Sequence, residues 1–305
     1  APGAGAEPAE HRRWHREVVR RLGIDGWLGI GWPREFGGQG RPWTEQFVFF
    51  DEAQRKQVPV PMISLNAVGP ALMRYGTPQQ RAEYLPRILS GEIQFSVGYT
   101  EPGAGTDLAS LTTRAVRDGD SYVINGAKIF TSGAELSDYI WLAVRTNPEA
   151  PKHKGLSVII VPTDAPGLTV LPLPTMGGRV RRTTQTFYSD VRVPVGNRVG
   201  AEGDGWTIIT AQLNHERVAM AAAGGATIGS FYRVCEWARS QPGPSGGRLV
   251  DEPWVRQTLG AAYARIEVMR LHNWRVAQAA GTNTLGPGEA SVAKVYGTET
   301  IIDVT

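Results

Sequence analysis

The sequence predicts an α+β multi-domain protein: an N-terminal α-helical domain over 1–93, a central antiparallel β-barrel or sandwich over 94–198, and a C-terminal α-helical bundle over 199–305. Three observations carry that expectation. Apolar residues recur with a helical period from about His11 to Ser90, the period becomes two from Phe95 to about Arg198, and the helical period returns from Gly205. Short strands at this spacing imply a compact antiparallel barrel or sandwich, and no internal repeat is visible. At 305 residues, 41% hydrophobic and 20% charged, the chain is long enough for two or three domains of an ordinary soluble protein.

The first domain opens with a basic amphipathic helix through Val18, Val19 and Leu22, followed by a loop from Gly31 to Gly40 whose last four residues read as a turn. Helices are expected from Thr44, in the N-cap role, and from Gln79, where Thr77-Pro78 offers a cap followed by proline at the first helical position. Strands are expected at Leu111 to Val116, Tyr122 to Asn125, Ile140 to Arg145, Leu156 to Val161, Leu168 to Leu171, Thr184 to Tyr188 and Val191 to Val193. Asp118-Gly-Asp120, Asn125-Gly126 and Ala165-Pro-Gly167 read as turns between them. A helix then runs from Gly205 to about Arg239, a Pro/Gly/Ser loop from Gln241 to Gly247, and another helix from about Glu252 to Ala280.

Composition removes several function classes. A net charge of +3 with mixed signs and no Lys/Arg-rich run argues against nucleic acid as a partner. No apolar run approaches a membrane span, and Ala1 to Glu10 lacks the order of a signal peptide. One cysteine, Cys235, excludes a disulfide framework, reads as packing material in its helix, and fits a reducing compartment such as the cytoplasm. The absent initiator Met predicts residues ahead of Ala1. No His, Cys or carboxylate pair has metal-ligand spacing.

Three clusters carry candidate chemistry. Phe95, Val97 and Tyr99 alternate as a strand and lead into Glu101-Pro-Gly-Ala-Gly-Thr-Asp107. There Gly103 and Gly105 remove side-chain bulk so that backbone N–H groups can approach an anion, with Thr100 and Thr106 as further donors. A plain Pro-Gly turn has the same composition, and the dinucleotide fingerprint is absent because strand-like sequence follows where a helix should open. On the helix from Gly205, an apolar stripe runs through Trp206, Ile209, Leu213, Met220, Ala223, Ile228 and Phe231, with Glu216 in step between Leu213 and Met220. A carboxylate so placed points inward, where desolvation favours the protonated form and suits it to proton abstraction; the alternative is a stripe-edge Glu216 paired with Arg217. Finally, Ala127-Lys-Ile-Phe-Thr-Ser-Gly133 sets an aromatic beside two hydroxyls, which can serve a planar heterocycle or simply decorate a hairpin. The basic runs Arg179-Val-Arg-Arg182 and Lys152-His-Lys154 can meet phosphates or stay solvated.

Together, Tyr99-Thr-Glu-Pro-Gly-Ala-Gly-Thr-Asp107, Asn125-Gly-Ala-Lys-Ile-Phe-Thr-Ser132 and Asp190-Val-Arg-Val-Pro194 resemble the acyl-CoA dehydrogenase family over essentially the whole chain. They stand as its flavin loop, its second flavin segment and its link into the last helical domain. The resemblance implies an FAD enzyme that oxidises an acyl-CoA thioester to the 2,3-enoyl-CoA, with an electron-transfer flavoprotein as acceptor. It implies that Thr100 and the backbone near Tyr99 hold the flavin ring, that Thr106 bonds the pyrophosphate, and that Gly105 allows close approach. Ser132 takes the place of a hydroxyl near flavin N5, and Phe130 stands where many members have Trp. Asn214-His-Glu-Arg217 matches the isovaleryl-type minority, which makes Glu216 the implied base, with Asn214 and Arg217 on the substrate side and Arg217 either tuning that carboxylate or purely structural.

Two departures refine the expectation. Where the family keeps an Arg and a Phe-Gly pair that grip the neighbouring subunit's FAD, this chain has Ser240-Gln-Pro-Gly-Pro-Ser-Gly-Gly247, and it stops at Thr305, so the third domain reads as truncated. Actinobacterial steroid side-chain acyl-CoA dehydrogenases share the lost pair and the Tyr-Thr-Glu-Pro loop, and work as α2β2 heterotetramers. The resemblance therefore implies a base-bearing subunit acting on a bulky or steroid side-chain acyl-CoA. A homo-oligomeric short- or branched-chain dehydrogenase, a non-catalytic partner completing another chain's flavin site, and an oxidase remain as alternatives.

Overall fold

The computed structural model describes residues 7–176, 183–221, 224–281, 284 and 286–304, with the side chains of 214–221 and of Pro8, Gly224, Ala280, Gly281, Pro287 and Ala290 outside the description. The basic run Arg179 to Arg182 and the stripe residues Met220 and Ala223 fall outside it as well. The described helices are α1 (Pro8–Ile24), α2 (Trp43–Arg55), α3 (Gly69–Tyr75), α4 (Pro78–Leu89), α5 (Gly205–Ala221), α6 (Gly224–Ser240), α7 (Pro253–Gly281) and α8 (Pro287–Val304). The strands of the sheet are β1 (Phe95–Gly98), β2 (Arg114–Asp118), β3 (Ser121–Ile129), β4 (Tyr139–Arg145), β5 (Leu156–Pro162), β6 (Leu168–Leu173), β7 (Thr183–Pro194) and β8 (Arg198–Val199). Helices, then strands, then helices is the order that the two changes of period predict.

The chain divides into two compact units, Ala1–Leu28 with Pro61–His215 and Gly29–Val60 with Glu216–Thr305. In the first, the strand order is β6-β7-β3-β2-β4-β5-β8, with β1 on β4. The barrel or sandwich expected from the alternation is thus one open sheet. It is antiparallel except where β1 and the start of β2 run parallel to β4, a pairing that a period of two does not encode. β4 and β5 are buried almost throughout because they lie inside the sheet, and Ile140, Leu142, Val144, Ile159 and Val161 form its core with Tyr122 and Ile124.

Three local expectations change. Asn125-Gly126 is not a turn but runs inside β3, opposite a bulge whose extra residue lies in β7: Ile124 pairs with Val191 but Gly126 with Tyr188, Gly126 has φ +147°, and a Cβ there would stand 2.7 Å from Thr113 Cα. The two strands expected over 184–193 are one, because Asp190, at φ +52°, exchanges hydrogen bonds with the Asn125 carboxamide and continues the ladder. β2 starts later than expected because the amides of Thr112 and Thr113 turn to the Glu101 carboxylate.

Helix ends follow the same logic. Thr77 caps α4 through a complete capping box with Gln80. The Gln80 carboxamide also donates to the Gly196 and Arg198 carbonyls at 2.7 and 3.0 Å, tying α4 to the end of the sheet. Thr44 is not a cap; it lies inside α2, whose cap position is held by Pro42. The long helix expected from Gly205 is two helices, α5 and α6. Among the described residues of α5 the buried positions are Gly205, Ile208, Ile209 and Gln212, whereas Leu213 is 38% exposed, so over this part the stripe is rotated by one residue from the expected one.

In the second unit α2 packs on α6 and α7, with Phe47 edge-on to Trp274 at 5.0 Å. Ile228, Ile266 and Met269 form its apolar centre with Phe231 and Tyr296. Cys235 is buried, as packing material should be, and burial raises its thiol pKa. Among the described residues no helix is long and apolar enough to cross a membrane. Thr77→Ala removes the cap acceptor and is expected to lower unfolding stability by about 1 kcal/mol, read as a urea midpoint shift at constant slope; an unshifted midpoint refutes the cap's contribution.

Candidate functional site

The two segments proposed from sequence as a cofactor cradle lie side by side in the first unit. Ile129 N–H donates to the Thr100 carbonyl at 2.8 Å, which joins the end of β3 to the residue that follows β1 and Tyr99. Beneath this junction Lys128 Nζ donates to the Tyr99 carbonyl and to Glu101 Oε1, each at 2.9 Å. Glu101 also accepts from Thr112 N, Thr112 Oγ1 and Thr113 N at 2.7 to 2.8 Å. The side chains of Lys128 and Glu101 are 0% and 6% exposed. Burial opposes the Glu101 charge, but the Lys128 ammonium and the Thr112 and Thr113 donors outweigh it and hold the carboxyl at about 2. Burial pulls Lys128 down to about 8 against the support of Glu101, so the pair is ionised at neutral pH.

Around this anchor the loop turns its small and polar groups outward. Glu101 and Ala104 exchange backbone hydrogen bonds, closing the turn, and Asp107 pairs with Lys152. A Cβ at Gly103 would meet nothing within 4 Å, and one at Gly105 would meet only Thr100 Cγ2 at 3.9 Å, so the backbone is open to an approaching group. Thr106 is exposed and Thr100 half-buried, and neither hydroxyl has a partner among the described residues. Tyr99 is buried, and its hydroxyl accepts from Trp141 Nε1 at 3.1 Å and donates to Gln212 Oε1 of α5.

The second segment is held as firmly. Thr131 N donates to the Thr184 carbonyl at 3.0 Å, Thr184 Oγ1 donates back to the Thr131 carbonyl at 2.6 Å, and Ser132 Oγ donates to Thr183 Oγ1 at 3.0 Å. These bonds fix Phe130 at φ +61° with its ring 57% exposed. A bulky residue in the left-handed region costs roughly 1–3 kcal/mol and persists where its surroundings over-determine it. An exposed aromatic held this way has the shape on which a flat ligand can stack. Of the Lys152-His-Lys154 run, Lys152 serves the loop and His153 packs on Trp206 at 4.6 Å.

Tyr99, Thr100, Gly105, Thr106, Phe130 and Ser132 are therefore neighbours of one anchored junction. Asn214, Glu216 and Arg217 are on α5, but their side chains lie outside the described residues. The sequence reading missed Glu101, Lys128, Trp141 and Gln212. Lys128 was detectable, since it keeps inward step with Tyr122 and Ile124 on a period-two strand. Among the described residues no group of three His, Cys, Asp or Glu could hold a metal.

Comparison with known proteins places this geometry. Residues 2–92, 96–191 and 203–305 match the N-terminal, middle and C-terminal domains of acyl-CoA dehydrogenases. The chain belongs to the acyl-CoA dehydrogenase family. It is 51% identical over 291 residues to acyl-CoA dehydrogenase FadE26 of Mycobacterium tuberculosis, covering 93% of this chain and 72% of that protein. FadE29 of the same organism is 49% identical over 296 residues, covering 97% and 75%. Among solved structures, the Tcur3481-Tcur3483 steroid ACAD superposes with TM-score 0.89 at 55% identity, over 98% of this chain and 78% of that one. The ChsE4-ChsE5 complex from Mycobacterium tuberculosis gives 0.86 at 47%, over 98% and 80%. The chain is thus an oxidoreductase of the acyl-CoA class, and flavin-dependent dehydrogenation is its family's general reaction.

Lys128→Met leaves the Glu101 carboxylate buried without its cation and is expected to cost about 3–5 kcal/mol, whereas Glu101→Gln/Lys128→Met, with no charge left to compensate, regains most of it. Chemical denaturation of both checks this. The Glu101 contribution is full above pH 4.5, its unfolded value, and disappears as pH falls towards 2. Equal stability losses in the single and double variants contradict the account.

Proposed function

We propose that this chain is the base-bearing subunit of an α2β2 FAD-dependent dehydrogenase that converts a bulky, steroid side-chain acyl-CoA into the 2-enoyl-CoA. The observation that carries this reading is the anchored junction: open glycines, threonine hydroxyls with no partner among the described residues and an exposed aromatic surround a backbone fixed by the Glu101–Lys128 pair. That donor set fits a dinucleotide with a planar ring. The backbone after Tyr99, the Thr100 hydroxyl, Phe130 and Ser132 would hold the ring. Thr106 and the open backbone at Gly105 would take the pyrophosphate. FAD, when bound, supplies the hydride acceptor.

The protein's own part is acid–base chemistry and positioning. Hydrogen bonds to the thioester carbonyl acidify the α C–H, and Glu216 accepts that proton. The assignment rests on the motif Asn214-His-Glu-Arg217, which resembles the base-bearing segment of the family's isovaleryl-type members. Asn214 and Arg217 are assigned to the substrate side. The reading keeps domains 1–93, 94–198 and 199–305, a cytoplasmic setting and an electron-transfer flavoprotein as acceptor.

The steroid substrate and second subunit rest on the relatives, since two of the solved structures most like this chain are the Tcur3481-Tcur3483 steroid ACAD and the ChsE4-ChsE5 complex. They rest also on the segment after α6. There Pro242–Gly243 and Gly247–Arg248 form a small hairpin whose Ser245 is held by Glu252 at 3.0 Å, in place of the expected open loop and of the family's Arg and Phe-Gly pair.

Glu216→Gln is expected to abolish turnover while retaining bound FAD, as stopped-turnover assays and the flavin spectrum together would record. Near-wild-type turnover would assign the chain a non-catalytic role. Purified alone, the chain is expected to carry little flavin and to gain it on co-expression with a second acyl-CoA dehydrogenase chain; full occupancy alone contradicts the heteromer.

A further inference from the structure

The segment that follows β3 spends the Ser132 proton inside the protein. Ser132 Oγ donates to Thr183 Oγ1 at 3.0 Å, and the Phe130 carbonyl, 3.5 Å away and also within reach of that proton, belongs to the chain as well. The backbone leaves little freedom to change this. Ser132 N–H donates to the Phe130 carbonyl at 2.9 Å, while Thr131 N–H and Thr184 Oγ1 each donate to the other residue's carbonyl, at 3.0 and 2.6 Å, and so lock the two segments together. Ser132 is nonetheless exposed, two residues after the exposed Phe130 ring, with Thr183 half-buried behind it. A hydroxyl whose proton points inward turns its free lone pair outward, so Ser132 meets an arriving ligand as a hydrogen-bond acceptor.

We infer that Thr183 is a positioning residue: by taking the Ser132 proton it holds that hydroxyl as an acceptor for a ring N–H of the bound flavin. This rests on the FAD assignment made above, which sets Ser132 at the ring. A thioester carbonyl only accepts, so it has nothing to give such a hydroxyl. An isoalloxazine carries an imide N–H when oxidised and gains N–H groups when reduced, and hydrogen bonds to its ring nitrogens tune its electronics. The amides of the CoA arm also donate, so the measurements that decide the matter are made without acyl-CoA.

The test uses the full chain with its partner subunit, free of acyl-CoA, and four variants: Thr183→Val, Thr183→Ser, Ser132→Ala, and Thr183→Val combined with Ser132→Ala. The dissociation constant of oxidised FAD and the two-electron reduction potential of the bound flavin are recorded, and together they give the affinity for reduced FAD. Thr183→Val keeps the shape but offers no acceptor, and is expected to weaken FAD about fivefold to tenfold, one hydrogen bond's worth. The loss falls on both redox states if the imide N–H is the partner. It falls on the reduced state alone, lowering the potential by about 30 mV per tenfold, if the partner N–H arises on reduction. Thr183→Ser, which keeps the acceptor, is expected to retain wild-type values. In the Ser132→Ala background Thr183→Val is expected to cost nothing more, because Thr183 acts through that hydroxyl. Unchanged affinity and potential in Thr183→Val, a potential that rises, or an equal loss in the Ser132→Ala background overturns the inference while leaving FAD binding intact. A wild-type complex that takes up no FAD overturns both this inference and the cofactor assignment on which it rests.

Discussion

The buried ion pair between Glu101 and Lys128 is the constraint on which the rest of the first unit depends. A lysine with no exposed side-chain surface is tolerable only if its ammonium finds acceptors, and it finds two, the Glu101 carboxylate and the Tyr99 carbonyl. Glu101 in turn takes four donors in all, so its desolvated charge is met on every side. Because these groups come from the loop after β1, the lead-in to β2 and the end of β3, one pair fixes three segments at once. The loop's polar groups are then left nowhere to point but outward.

Much of the architecture was legible because it depends on local physics. Changes of hydrophobic period mark the helix–strand–helix order, and the Thr77 cap needs only residues three apart. What was illegible depends on distant contacts. Asn125-Gly126 has the composition of a turn, yet Thr113 packs against it and it runs on through β3 opposite a bulge in β7. The parallel pairing of β1 with β4 leaves no trace in alternation.

The candidate site divides in the same way. Its hydroxyls and glycines stood out by composition, whereas the residues that set their geometry did not. Glu101 and Lys128 are 27 positions apart, and neither alone suggests a pair. Gln212 was passed over because stripe-counting looks for apolar residues; Leu213 was taken in its place, although the helix turns Leu213 outward. Polar residues on the buried face of an otherwise apolar helix are where such counting fails and where function concentrates.

The parallel register of β1 on β4 also sets a timetable for biosynthesis. Phe95 leaves the ribosome well before its partner Tyr139, and β5 must wait for Val199 to complete its outer ladder. Until then the nascent polypeptide carries β1 as an unpaired edge, and closing so long a loop costs entropy before any contact repays it. The cradle that β1 leads into therefore cannot take its final form until β4, and then Thr184 of β7, have emerged.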